Sequence, residues 1–219
     1  PTSTSVLDGL LNWGEGRHLI TLLYQALLGD EPRPPDRART RWENDLGKQF
    51  TDVQWERICG LTKGVSSNVR FKLVHFNFLH RTYLTPVVLQ RFDQTRKSDC
   101  PRCKREGASF LHLAWECEAI AEFWKEVTAR ITQATGRLCP AEPVVCLLGE
   151  IGFPVRKGRK IGFKFTQLAL LLARRRVAIT WMGQESPKVE RWLSDVSEWS
   201  LAERIRLKKC RTDEKLEED

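Results

Sequence analysis
Four residues constrain this chain more than any other feature: Cys100, Cys103, His112 and Cys117 follow the spacing C-x2-C-x8-H-x4-C. Tetrahedral zinc takes four thiolate or imidazole donors at roughly 2.0 to 2.3 Å, and a C-x2-C turn offers two of them to one ion while a short loop returns the other pair. The spacing therefore predicts Cys100, Cys103, His112 and Cys117 as ligands of a single Zn2+ ion. Four protein ligands leave no open coordination position, so the expected site is structural and not catalytic. Pro101 favours the tight turn, and Phe110, Leu111 and Trp115 stand where they can cover the ion. A loop this polar gains little by packing, whereas metal supplies on the order of 10 kcal/mol of apparent folding free energy to isolated zinc peptides. Cys59, Cys139, Cys146 and Cys210 have no such spacing and read as core or incidental thiols. His75 and His80, five residues apart, read as core or groove-edge residues.

The chain around this knuckle reads as helix throughout, because no stretch sustains the two-residue alternation of a half-buried strand. The fold class expected is all-α, a multi-helix domain built around a small CCHC zinc knuckle. Arg17 to Leu28 carries a broad apolar face and stops at Gly29, and Pro32, Pro34 and Pro35 keep the next stretch from being helical. Asp36 to Leu46 is a charged helix, and Thr51 with Gln54 forms a capping box for a short helix to Gly60. Ser66 or Ser67 is the expected cap of a helix reaching about Tyr83, with Val69, Leu73, Phe76 and Leu79 or His80 on a greasy face and Arg70, Lys72 and Arg81 on a basic one. Thr85-Pro86 opens a helix through Phe92. Thr95 to Gly107 reads as loop, Glu118 to Ala134 as an amphipathic helix, and Pro140 to Gly158 as an irregular, exposed basic loop. The next helix runs from about Ile161 to Trp181. Ser186-Pro187 caps the last one, with Val189, Trp192, Leu193, Val196 and Ile205 inward, and Asp213 to Asp219 reads as a disordered tail. The segments are thus 1–95 (helical), 96–135 (knuckle and its helix), 136–210 (basic loop and C-terminal helices) and 211–219 (tail).

Charge is segregated. Lys63 to Arg105 holds ten Lys or Arg against two acids, and Arg156 to Arg176 holds eight with no acid, within a chain of formal net charge +8. Clustered cations of this kind point to a polyanionic partner, since neutralising phosphates releases condensed counterions. The residues expected to contact phosphate are Arg70, Lys72 and Arg81 on one helix, Arg102, Lys104 and Arg105 in the knuckle, Lys157, Arg159 and Lys160 in the basic loop, and Arg174, Arg175 and Arg176 on the next helix. Tyr83, Phe92 or Phe110 would stack on an unpaired base. Seven Cys with no signal-peptide pattern point to a reducing, intracellular setting, nuclear and cytoplasmic. No apolar run approaches the roughly 20 residues a membrane span needs. A chain that begins at Pro1 and holds only Met182 reads as a piece of something longer.

Cys100-Pro-Arg-Cys103 with His112-Leu-Ala-Trp-Glu-Cys117 and Phe123-Trp124 resembles the zinc-binding region of non-LTR (LINE-type) retrotransposon reverse transcriptases of vertebrate type. Upstream, Trp42-Glu-Asn-Asp-Leu-Gly47, Trp55-Glu-Arg57, Asn68 to Val74 and Tyr83-Leu-Thr-Pro86 resemble the segment between polymerase thumb and knuckle. Downstream, Cys146-Leu-Leu-Gly149 and Arg174 to Trp181 resemble its continuation, so the likeness covers most of residues 10–200. It implies the C-terminal domain of a large protein whose endonuclease nicks DNA and whose polymerase copies element RNA from the nick. In that setting the domain binds RNA and target DNA and supports target-primed reverse transcription. No Tyr/Phe-x-Asp-Asp motif and no endonuclease carboxylate cluster is present, so no enzymatic activity is expected of this chain. The competing expectation is a scaffold that docks on the polymerase domain of the parent protein, its zinc merely structural. A small-molecule substrate is expected in neither case.

Overall fold
In a computed structural model the described residues are 36–63, 65, 68–151 and 160–216, and every regular element among them is helical. The chain divides into two units, Pro1–Asp36 and Arg37–Asp219, and nearly all described residues belong to the second. The limits drawn at residues 95/96 and 135/136 both fall inside that unit. The expected helix from Arg17 to Leu28 lies outside the described residues.

Local signals set most helix ends. The capping box at Thr51 forms: its hydroxyl accepts from the Gln54 N–H and the Gln54 side chain accepts from the Thr51 N–H, starting α2 (Asp52–Gly60) after α1 (Arg37–Leu46). Helix α3 (Val69–His80) begins one residue after Asn68, whose side chain accepts from the Arg70 N–H, so the cap is Asn68 and not Ser66 or Ser67. It ends at His80 because Arg81 turns left-handed, three residues before the expected stop near Tyr83. Thr85 and Pro86 open α4 (Pro86–Phe92) as the sequence predicts. Helix α5 (Glu118–Thr135) stops where Gly136 takes a positive φ. Helix α6 (Lys160–Ile179) and helix α7 (Val189–Leu216) complete the order. The backbone of α7 carries the helix into the stretch expected to be a tail.

Helix α6 is the centre of the unit. Leu168 to Ala173 are buried without interruption, and α3, α5 and α7 pack around it. A helix apolar on all sides is a core helix; among the described residues no helix is long and apolar enough to cross a membrane. Residues 144–148 are the second departure from expectation. Val144–Leu148 is a single π-helical turn, wholly buried against α3 and α6, in place of an exposed loop. Gly149, at φ 76°, ends that turn where a Cβ would be strained by the left-handed backbone and would fall 2.5 Å from Leu61 Cδ1 and 2.8 Å from Gln167 Oε1, so both side-chain ends would have to move aside.

Tryptophans fasten the layers. Trp42, Trp124, Trp181 and Trp192 are buried, and each indole N–H donates to a main-chain carbonyl, those of Leu79, Ala114, Leu84 and Ala169 respectively. A buried indole keeps its apolar area only if its one donor is satisfied, and here each donor also ties together two separate segments. On α7, Val189 and Trp192 face the core as expected, while Leu193 is exposed.

The largest correction concerns α3. The buried side holds His75, Phe78 and Leu79, so of the expected greasy face of Val69, Leu73, Phe76 and Leu79 or His80 only Leu79 is buried and the rest points to water. Phe78 explains the choice, since its ring meets Tyr83, Phe110 and Trp181 at centroid distances of 5.6, 5.8 and 6.3 Å. His75 completes that face: Nε2 lies 2.7 Å from Ile58 O, and burial pulls its pKa down to about 3, so the ring is neutral and Nε2–H donates.

Candidate metal centre
Residues 98–108 fold back on themselves through short main-chain bonds. Ala108 N–H donates to Ser98 O, Cys100 N–H to Arg105 O and Lys104 N–H to Cys100 O, at 2.8, 2.8 and 2.9 Å. Lys104 adopts a left-handed backbone at φ 63° to make this turn, a conformation that costs an ordinary side chain on the order of 1 kcal/mol. The turn places Cys100 and Cys103 side by side. A π-helical turn, His112–Glu116, then carries the third donor and delivers the fourth, Cys117, which also begins α5. Trp124 reaches back from α5 to the Ala114 carbonyl at 2.9 Å and so fixes this turn to its neighbouring helix.

The ligand atoms of Cys100, Cys103, His112 and Cys117 all lie within 4.8 Å of one another. Cys100 Sγ and Cys117 Sγ are 3.8 Å apart, and Cys103 Sγ is 3.3 Å from His112 Nε2. Such separations fit four donors around one ion of the borderline-soft kind. His112 Nδ1, on the other side of the ring, stands 4.0 Å from Glu116 Oε2. A carboxylate there favours the tautomer that leaves the Nε2 lone pair free toward the cluster. Glu116 lies outside the ligand spacing and so escapes a motif-based reading, although its position four residues after His112 on a helical turn is a usable signal.

The four donors differ in their electrostatics. Burial pushes the Cys117 thiol up to about 11, helped by Cys103 and Cys100 beside it. Cys100 goes the other way: burial opposes ionisation, but N–H groups of Cys103 and Arg102 aimed at its sulfur bring it below the ordinary thiol range. Burial, then the Arg105 charge, holds His112 below its usual range, which keeps the imidazole a neutral ligand. Several thiolates packed this closely repel one another unless a positive ion sits among them. Cys100, His112 and Cys117 are buried, and Cys103 is the exposed member. Among the remaining thiols Cys139 and Cys146 are buried and Cys59 is exposed.

Phe110, expected as cover for the ion, is instead a core plug. Its ring lies 5.0 Å from Trp181, 5.8 Å from Phe78 and 6.0 Å from Trp42, which joins the knuckle to α1, α3 and the end of α6. Trp115 packs on Trp124 at 6.4 Å.

Most arginines named as phosphate contacts are committed inside the protein. Arg174 is fully buried, its Nη1 donating to Leu147 O at 2.9 Å, and cannot reach a polyanion. Burial lowers its pKa to about 10. Arg175 and Arg176 both pair with Asp195 on α7. Arg81 lies over the Trp42 ring, 4.0 Å from its centroid, and pairs with Asp45. Arg102 donates to the carbonyls of Leu113, Thr180 and Trp181 at 3.3, 2.7 and 3.2 Å. These five are corrected from binding residues to structural ones, because each guanidinium is bound or buried by a partner distant in sequence. Arg70, Lys72, Lys104 and Arg105 are exposed, and Lys104 also donates locally, to Pro101 O. Lys157 and Arg159 lie outside the described residues, as does the side chain of Lys160. Of the proposed stacking rings, Phe110 is buried, Tyr83 is half-buried among the aromatic cluster, and Phe92 is 80% exposed. No protein-family model matches the chain.

Proposed function
We propose that the chain is a zinc-binding, non-catalytic C-terminal module of a LINE-type reverse transcriptase, resident in a reducing intracellular setting, that holds RNA, DNA or both while the polymerase extends a nicked target. One observation carries the reading: four soft donors converge within 4.8 Å on a turn that also projects Lys104 and Arg105 into water. Cys100, Cys103, His112 and Cys117 would hold the ion, and with all four positions filled its role is to fix the loop and not to activate water. The cations then meet phosphate as a positioned pair, which sets register on a backbone and carries no sequence code.

Two measurements test this together. Purified chain should contain one zinc per polypeptide, and replacing Lys104 and Arg105 together with Gln should lower the salt slope of RNA binding by roughly 1 to 2 units. An unchanged slope removes the knuckle cations from the interface. Failure to retard single-stranded RNA, duplex DNA or nicked duplex at about 100 mM salt would favour the scaffold that docks on the parent polymerase domain.

A further inference from the structure
The outward face of α3 has a composition that packing does not explain. Val69, Leu73 and Phe76 are 74%, 55% and 51% exposed, and His80 is exposed beside them. At 3.6 residues per turn these four fall within an arc of about 60°, with Arg70 on one flank and Lys72 on the other. Phe76 and His80 form a ring pair with centroids 4.3 Å apart and planes tilted by 45°. Helix α3 contains no acid, and among the described residues no ion pair or side-chain hydrogen bond engages Arg70 or Lys72. A row of apolar and aromatic groups therefore runs between two free cations.

We infer that this face is a stacking ledge for unpaired bases of a single-stranded nucleic acid, with Phe76 and His80 as the platform and Arg70 and Lys72 as phosphate contacts. The inference rests on the nucleic-acid contact proposed for the chain and narrows it to one strand form and one helix. Charge complementarity selects the occupant. A protein laid over the stripe would take both cations out of water and would have to answer each with a carboxylate, at a desolvation cost. A single strand brings flat bases for the rings and phosphates for the cations in one ligand, and stacking tolerates any base because every base has a π face. A duplex keeps its bases stacked inside and offers the ledge only phosphates.

The test measures binding of the 219-residue chain to a fluorescent single-stranded RNA of mixed sequence and to the same RNA annealed as duplex. Phe76→Ala and Phe76→Leu should each weaken single-strand binding about tenfold, leave duplex binding nearly unchanged and keep the salt slope, whereas Phe76→Trp should retain wild-type affinity. His80→Ala should act in the same direction with a smaller loss. Half of Phe76 is already in water, so these variants should fold, and an unchanged circular-dichroism melt checks it. If the chain binds RNA but Phe76→Ala binds the single strand as wild type does, the ledge assignment fails and the nucleic-acid reading survives. If Phe76→Leu matches wild type while Phe76→Ala does not, apolar area and not a ring is recognised, and the stacking assignment fails. If the chain binds no nucleic acid at all, both ideas fall together.

Discussion

The knuckle and helix α6 adjoin each other and are built from different materials. Helix α6 is fixed by area: Leu168 to Ala173 are buried in an unbroken run, and even Arg174 is enclosed. The knuckle lends Phe110, Leu113 and Ala114 to the core, but residues 103–107 of its first turn are exposed. It bends through a left-handed lysine, and what it can close around is a set of four donor atoms. The difference teaches that one fold can combine a region built on packing with a region whose donor set is arranged for ligation, and if an ion is bound the two should respond to different insults.

Chelation should separate them most widely. Removing metal with a strong chelator, or replacing Cys100 with Ser, should forfeit stabilisation on the order of 10 kcal/mol at the knuckle. Hydrogen exchange should then show amides of residues 98–117 losing protection while those of Leu168 to Ala173 keep it. Equal loss in both would mean that the ion organises the whole core and that the contrast is false.

The next effect belongs to the packed side. Arg174→Ala should destabilise by about 3 kcal/mol, because it opens a cavity and leaves Leu147 O without its donor. Arg174→Met should be neutral or stabilising, since Nε and Nη2 of Arg174 have no hydrogen-bond partner and a buried cation is costly. Urea midpoints of the two variants decide it; an equal loss in both would show that the charge itself is required.

Acid should produce the smallest of the three changes. Folded His75 titrates near 3, below its ordinary value of 6.5. Above pH 6.5 neither state is protonated there and the contribution is complete. As pH falls from about 6.5 toward 3, the unfolded chain takes up a proton that the folded chain refuses, and stability declines by about 1.4 kcal/mol per unit. Between pH 6.5 and 5 this amounts to about 2 kcal/mol. His75→Gln should flatten that part of the profile while leaving any steeper loss from protonated cysteine ligands in place. A profile unchanged by the substitution would place the acid sensitivity wholly in the knuckle.

The sequence made the ligand set legible because all four donors lie within one short window, so chain geometry alone brings them close. Capping at Thr51 and Thr85 was legible for the same reason, each signal lying within two to four consecutive residues. The face of α3 was not. Its sequence VRFKLVHFNFLH carries apolar residues on both sides, and the side that is buried depends on where Phe78 finds Phe110 and Trp181. The arginines failed for a related reason. Arg81 meets Asp45 36 residues away, Arg176 meets Asp195 19 away and Arg102 meets Thr180 78 away, and no local pattern announces such pairings. Val144–Leu148 misled through its neighbours, since the Pro, Gly, Lys and Arg around it outweighed five buried residues.

Arg102 lies between the two cysteines of the first ligand pair, yet its guanidinium is spent on the carbonyls of Thr180 and Trp181, in the turn just past the end of α6. Thr180 O also accepts from Gly183 N–H, and a cation just past a helix C-terminus interacts favourably with the helix dipole. The knuckle is for this reason not a portable cassette. Excised as a short peptide it would keep its donors for an ion but lose its mooring, and transplanted into another protein it would need a helix end presented at the same place.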